Sequence, residues 1–197
     1  MARGLWIGNL PPMNIRPTEL PGVVVVEPQV YHDSRGHFFE VWHQERFREA
    51  GLPATFIQDN QSHSAGRVLR GLHLQHPAAQ AKLVRVVAGA IWDVAVDVRH
   101  GSPTFGRWVG VTLSDENRLQ MFIPAGFAHG FVVTGDFATV SYKCDGPYSP
   151  GNELTVLWDD PDLGIAWPVA DPILSQKDRA GRRLRDIPAD RLPPYTE

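Results

Sequence analysis

Cysteine is almost missing. The 197 residues hold one, Cys144, so no disulfide framework can form within the chain and the fold must rest on an apolar core. A single thiol fits a reducing, cytoplasmic setting. No apolar run approaches the roughly 20 residues that cross a bilayer. The segment 1–20, MARGLWIGNLPPMNIRPTEL, has no continuous apolar stretch of the kind a secretory leader carries, and it is expected as an irregular arm. Excess positive charge is absent too: 19 Lys and Arg against 22 Asp and Glu leave a net charge of −3. That removes the general basic field that attracts nucleic acid, but not a local cationic pocket. Internal repeats and low-complexity linkers are also lacking, so residues 21–197 are expected as one domain.

What is abundant is punctuation. Eighteen glycines and 17 prolines separate short apolar runs, the pattern of an all-β chain. GVVVVEPQVY (22–31) is β-branched, and Pro28 marks an edge or a break. Helical apolar spacing over 41–51, closed by Gly51, predicts one short helix. Strands are expected at 37–42, 54–58, 67–75, 81–88, 90–98, 107–113, 120–123, 130–134, 137–145 and 153–158. In IWDVAVDV the alternation is imperfect, as in a strand buried on both faces. The Pro- and Asp-rich tail from Asp159 is expected to close the domain with short helices. The fold class is therefore all-β, a sandwich or jelly roll.

Chemistry concentrates in a few stretches. IPAGFAHGF (123–131) carries Pro-x-Gly-x-x-His, the second half of the cupin pattern, ending at His129. Alone, His129 reads equally well as a buried structural histidine. The first half of that pattern would be His-x-His and a glutamate, but RGLHLQ (70–75) supplies His73 and then Gln75, and Lys82 follows. An amide is a poor ligand for a transition ion, and an ammonium would repel it, so no metal is expected. Without a metal, His73 is a candidate general base among Lys82, His129 and Tyr142. Lys82 sits in an otherwise apolar run, which points inward to a pocket, with outward snorkelling as the alternative. Tyr142 alone would read as a core aromatic. Arg35 and Arg70 suit a diphosphate, and Phe38 or Tyr148 could stack on a flat base. The basic runs RHG (99–101) and DRAGRRLRD (178–186) read as solvated surface.

RGLHLQ, the long run from QAKLVRVV to FAHGF, YKCDGPYSP and LWDDPDLGIAWP together closely resemble the dTDP-4-dehydrorhamnose 3,5-epimerase family, over about residues 22–180. The resemblance implies a cupin-like jelly roll and a cofactor-free isomerase. Its substrate would be dTDP-4-dehydro-6-deoxy-D-glucose, whose carbon-4 ketone acidifies the hydrogens on carbons 3 and 5. By the same resemblance His73 is the base, oriented by Asp178, Tyr142 is the acid and Lys82 stabilises the oxyanion. Arg35, Phe38, Glu40, Gln58, Asp59, Asn60, Arg70, His129, Glu153 and Lys177 match binding positions, and Tyr148 matches the residue that stacks on thymine. The implied assembly is a homodimer that exchanges N-terminal strands.

Three places depart from the family pattern. Ala81 replaces a glycine, Leu74 replaces an aromatic residue, and Gly146–Pro147 replaces a more polar or aromatic pair. None is a reacting group, but all bear on pocket shape, so inversion of one carbon rather than two stays open. A ligand-binding cupin without catalysis is the alternative of a different class. The joint presence of His73, Asp178, Lys82 and Tyr142 argues against it.

Overall fold

The computed structural model describes residues 13–53 and 55–196. Its strands are β1 (Asn14–Pro17), β2 (Val24–Glu27), β3 (Val30–Asp33), β4 (Gly36–Phe39), β5 (Gln58–Ala65) and β6 (Leu69–Gln75). They continue as β7 (Lys82–Asp97), β8 (Trp108–Ser114), β9 (Gln120–Ile123), β10 (Phe127–Cys144) and β11 (Glu153–Thr155). Two short helices, α1 (Gln44–Glu49) and α2 (Gln176–Arg179), and three 3₁₀ turns complete the set.

β7 and β10 pair antiparallel along nearly their whole length and belong to both layers of a jelly roll. The first half of β7 and the second half of β10 are joined by β9, β2 and β1 on one side and β5 on the other. The remaining halves pair with β8 on the β7 side and with β6, then β11, on the β10 side. Both strands change layer at one level. Gly89 has φ +83°, and a Cβ there would lie 2.1 Å from the Phe137 carbonyl oxygen, so glycine is needed for the close crossing. Opposite it the register breaks between Val133 and Ala138, and residues 134–137 bulge into solvent.

Three apolar clusters follow from this arrangement. Val84, Val86, Ile91, Ala95, Phe127, Phe131 and Val140 fill the space between the layers. Leu72, Val94, Val96 and Val98 are covered by the tail through Leu163, Leu184, Ile187 and Leu192. Phe47 of α1 packs on Val26, Leu83 and Phe122. The stretch IWDVAVDV is thus buried on both faces as its sequence suggests, with Val94 and Val96 under the tail.

Several boundaries differ from the sequence reading. The strands expected at 81–88 and 90–98 are one, as are those at 130–134 and 137–145, because Gly89 and the 134–137 bulge bend a strand without ending it. Residues 55–57 of the strand expected at 54–58 are irregular, and residue 54 lies outside the described residues. The strand there is β5, QDNQSHSA, whose polar composition conceals it. The helix is shorter than 41–51, and β11 ends at Thr155. Pro28 does break 22–31, into β2 and β3. Within the expected N-terminal arm, residues 14–17 form β1 against β2, while 1–12 lie outside the described residues.

The run RHG is not merely solvated surface. Asp97, fully buried at the end of β7, accepts from Arg99 Nε and Nη2 at 2.9 and 2.7 Å, and from Ser102 Oγ and Thr104 Oγ1 at 2.6 Å each. Arg99 also lies over the Phe127 ring. Burial pushes the Asp97 carboxyl up, but the hydrogen bonds from Arg99, Ser102 and Thr104 outweigh it and bring it down to about 2. A carboxyl depressed in the fold stabilises above its unfolded value of 3.8, and the contribution is lost as pH falls toward 2. Asp97→Asn is therefore expected to cost about 2 kcal/mol at neutral pH. Its urea-denaturation stability should also fall less steeply than the parent's across that acid window. Parallel acid limbs for the two proteins would contradict this.

Candidate active site

A cavity of about 470 Å³ lies among β5, β6, β7 and β10, with residues from the 145–149 loop, β11 and α2 completing its wall. Strand periodicity places much of it. Gln58, Asn60 and Ser62 alternate along β5 and turn to the cavity, as do Tyr142 and Cys144 on β10. On β6 the alternation is interrupted at Gly71, which has φ +126° and whose Cβ would sit 2.5 Å from Gly130 Cα. Arg70 and His73, three residues apart, therefore both line the cavity.

His73 Nε2 donates to Asp178 Oδ1 at 2.5 Å. Asp178 is 3% exposed and lies within the single helical turn α2. Ser175 Oγ donates to its other oxygen at 2.7 Å and accepts from its backbone N–H at 3.1 Å, capping α2. Burial pushes the Asp178 carboxyl up, but the bonds from His73 and Ser175 prevail and hold it below the ordinary range. A fixed carboxylate on Nε2 leaves Nδ1 as the proton-accepting nitrogen of a neutral His73 ring.

Lys82 and Tyr142 share the cavity. Burial pushes the Lys82 ammonium down, against the upward pull of Cys144, Asp145, Asp93 and Glu153. Burial also pushes the Tyr142 phenol up, with Arg70 pulling the other way, so Tyr142 stays a proton donor at neutral pH. His129, 8% exposed, bonds through Nε2 to the fully buried Asp93 Oδ1 at 2.7 Å. The donor set does not suit a transition metal. Gln75 stands in the place of an imidazole, Lys82 brings a positive charge, and His129 Nε2 is engaged by Asp93. Among the described residues no three His, Cys, Asp or Glu side chains converge as a ligand group.

Farther out, Tyr148, 52% exposed, donates to Glu153 Oε2 at 3.0 Å, and Lys177 Nζ meets Glu153 Oε1 at 2.7 Å. Burial raises the Glu153 carboxyl, but these two partners win and lower it.

Of the residues expected at the site, eleven line this cavity: the four reacting candidates with Gln58, Asn60, Arg70, His129, Tyr148, Glu153 and Lys177. Four do not. Arg35 pairs with Asp33 at 2.6 Å on the β3–β4 hairpin, which also carries Phe38; Glu40 pairs with Arg46 at 2.9 Å. Asp59 falls on the opposite face of β5 from Gln58 and Asn60 and pairs with Lys143 at 2.6 Å.

Sequence reasoning passed over Ser62, Gln80, Cys144, Asp93 and Ser175. Period-two spacing from Asn60 and Tyr142 would have found Ser62 and Cys144. The Ser-x-x-Asp signature of a helix start would have found Ser175. Nothing local marks Asp93, whose partner lies 36 residues away. Ser175→Ala is expected to cost about 1 kcal/mol, the usual worth of an N-cap, measured by denaturant midpoint. An unshifted midpoint would show that the cap contributes nothing.

The dTDP-4-dehydrorhamnose 3,5-epimerase family model matches residues 17–186. The dTDP-4-dehydrorhamnose 3,5-epimerase of Methanothermobacter thermautotrophicus is 52% identical over 87% of this chain and 94% of its own length. That of Pseudomonas aeruginosa is 54% identical over 85% and 93%. The crystal structure of dTDP-6-deoxy-D-glucose-3,5-epimerase from Legionella pneumophila, in complex with dTDP-4-keto-L-rhamnose, matches with a TM-score of 0.91. It is 48% identical and covers 94% of this chain and 100% of that one. With the fold, the His73–Asp178 pair and these likenesses in agreement, the chain belongs to the dTDP-4-dehydrorhamnose 3,5-epimerase family.

Proposed function

We propose that this chain converts dTDP-4-dehydro-6-deoxy-D-glucose to dTDP-4-dehydro-L-rhamnose by inverting carbons 3 and 5 through proton transfer alone. The observation that carries the reading is the carboxylate-held imidazole of His73 in one cavity with the Tyr142 phenol and the Lys82 ammonium. The ketone at carbon 4 lets a neighbouring C–H lose its proton, with the electron pair delocalised onto the ketone oxygen as an enolate. His73 takes that proton, and Asp178 stabilises the imidazolium that results. Lys82 places positive charge beside the enolate oxygen, where a preorganised charge in a dry site counts most. Tyr142 returns a proton from the other ring face, and Arg70, which favours its ionised form, steadies the phenolate left behind. Between the two inversions the imidazolium gives its proton to water and the phenolate regains one, so each carbon passes through the same two steps.

For the nucleotide, Arg70 and Lys177 offer positive groups to the diphosphate, His129, held by Asp93, lines the same wall, and the exposed Tyr148 ring offers a face to thymine. Gln58, Asn60 and Glu153 provide the neutral and acidic contacts. A cytoplasmic setting is part of this reading, supported by the single cysteine. So is a homodimer with exchanged N-terminal strands. Its support is that Arg35, Phe38 and Glu40 lie on or beside a separate two-stranded sheet, away from this chain's own cavity, where they could serve a second copy's site. Sedimentation at micromolar concentration is expected to give a dimer, and a monomer would remove that part of the proposal.

The reaction itself is tested by NMR of substrate turned over in heavy water. Deuterium is expected at both carbons; deuterium at one alone would make the chain a single-carbon epimerase. His73→Ala should abolish exchange at both carbons while dTDP still binds. Tyr142→Phe should slow product formation more than exchange, by about 10² to 10⁴-fold, the range of positioned proton transfer. Parent exchange rates in His73→Ala would remove His73 from the base role.

A further inference from the structure

Gln75 occupies the place where the cupin pattern carries a metal-binding histidine, and its amide does different work. It is 5% exposed and at the end of β6. Its Oε1 accepts from Ser149 N at 2.8 Å, and its Nε2 donates to Ala78 O at 3.0 Å and Pro147 O at 3.3 Å. Two more glutamines reach the same loop. Gln58 Oε1 accepts from Tyr148 N at 2.9 Å, and Gln80 Nε2 donates to Gly146 O at 2.6 Å. One backbone polar group of each residue from Gly146 to Ser149 is therefore met by a side-chain amide. These amides come from β5, from β6 and from the link between β6 and β7. Residues 146–149 belong to no strand; only Asp145 ahead of them is tied to Ala81, donating from its N–H to Ala81 O at 3.3 Å and accepting from Ala81 N at Oδ1 at 2.7 Å.

We propose that Gln75, assisted by Gln80, is a positioning residue for the nucleotide end of the site. It holds the 145–149 loop so that the Tyr148 ring stands at the cavity in the orientation a pyrimidine ring needs. The inference rests on the reading of Tyr148 as the stacking residue. Asp145 anchors the start of the loop and the Tyr148 hydroxyl its far side, but Gly146 and Pro147 bring no polar side chain of their own, so the backbone between relies on the glutamines. Glutamine suits the role because one amide both accepts and donates. A glutamate at 75 would set a carboxylate against the Ala78 and Pro147 carbonyls, and a histidine would not offer two donors and an acceptor together.

A purely structural Gln75 would lower stability without singling out the nucleotide, so binding and turnover must be read separately. Calorimetry with dTDP on the full chain compares the parent, Gln75→Ala, Tyr148→Ala and the double variant. Each single change is expected to weaken dTDP binding about tenfold, in the range of a lost base–aromatic stack. The double variant should be no weaker than Tyr148→Ala alone, since a misplaced loop matters only while it carries the ring. In turnover, KM for the sugar nucleotide should rise more than kcat falls. Unchanged dTDP affinity in Gln75→Ala, or penalties that add in the double variant, would overturn the positioning role and leave the stacking role of Tyr148 standing. Parent affinity in Tyr148→Ala would instead overturn the stacking reading, and this proposal with it. If Gln75→Ala gives no cooperative melt, Gln80→Ala, which removes the one bond to Gly146 O, enters the same cycle with the same expected non-additivity.

Discussion

The antiparallel pairing of Lys82–Asp97 with Phe127–Cys144 is the constraint on which the rest of the molecule depends. Because both strands cross from one layer to the other, one hydrogen-bonded ribbon supplies the middle of each sheet. The cavity forms against that ribbon, and it brings Lys82, Asp93, His129 and Tyr142 to the site. β5 adds its row of amides on one flank, and β6 adds Arg70 and His73 on the other. Slipping the pair by one residue would exchange the faces of every side chain it carries. The tight approach of Gly89 to Phe137 resists such a slip.

Placing polar groups inside a barrel costs free energy unless each finds a partner. Most do here, although among the described residues Asp93 Oδ2 and Ser62 Oγ are buried with none. Asp178 is held by His73 and Ser175, Asp93 accepts from His129, and the glutamines complete a loop's backbone. Burial also shifts two groups of the cavity that make no such hydrogen bond among the described residues. Lys82 is pushed toward neutrality and Tyr142 toward retention of its proton. Retention of the proton suits the donor role proposed for Tyr142, whereas the charge proposed for Lys82 relies on the opposing pull of Cys144, Asp145, Asp93 and Glu153. The metal-binding version of this fold would place an ion where these residues place an ammonium and an amide.

Much of this is legible in the residues as they run along the chain. The prolines and glycines announce short strands, Pro28 marks a real break, and RGLHLQ with IPAGFAHGF identifies two strands that do pair, with His73 opposite His129. What escapes is polar or bent. β5 reads as a loop because QDNQSHSA has almost no apolar residue, yet its inward face lines a cavity rather than a core. Gly89 reads as a turn because local sequence cannot tell a bend that keeps its ladder from one that ends it. Asp59 reads as a companion of Gln58 and Asn60, but strand alternation turns it outward.

By itself the sequence determined the all-β fold class, because strand periodicity and turn chemistry are local properties, while its motifs pointed to site residues through their resemblance to a family. Only the tertiary structure decided which groups meet. His73 and Asp178 are 105 residues apart, and the loop carrying Tyr148 is fastened by Gln75, whose bonds to it span 72 and 74 residues. Such contacts depend on the mutual placement of separate strands, a placement set by the packing of all of them together.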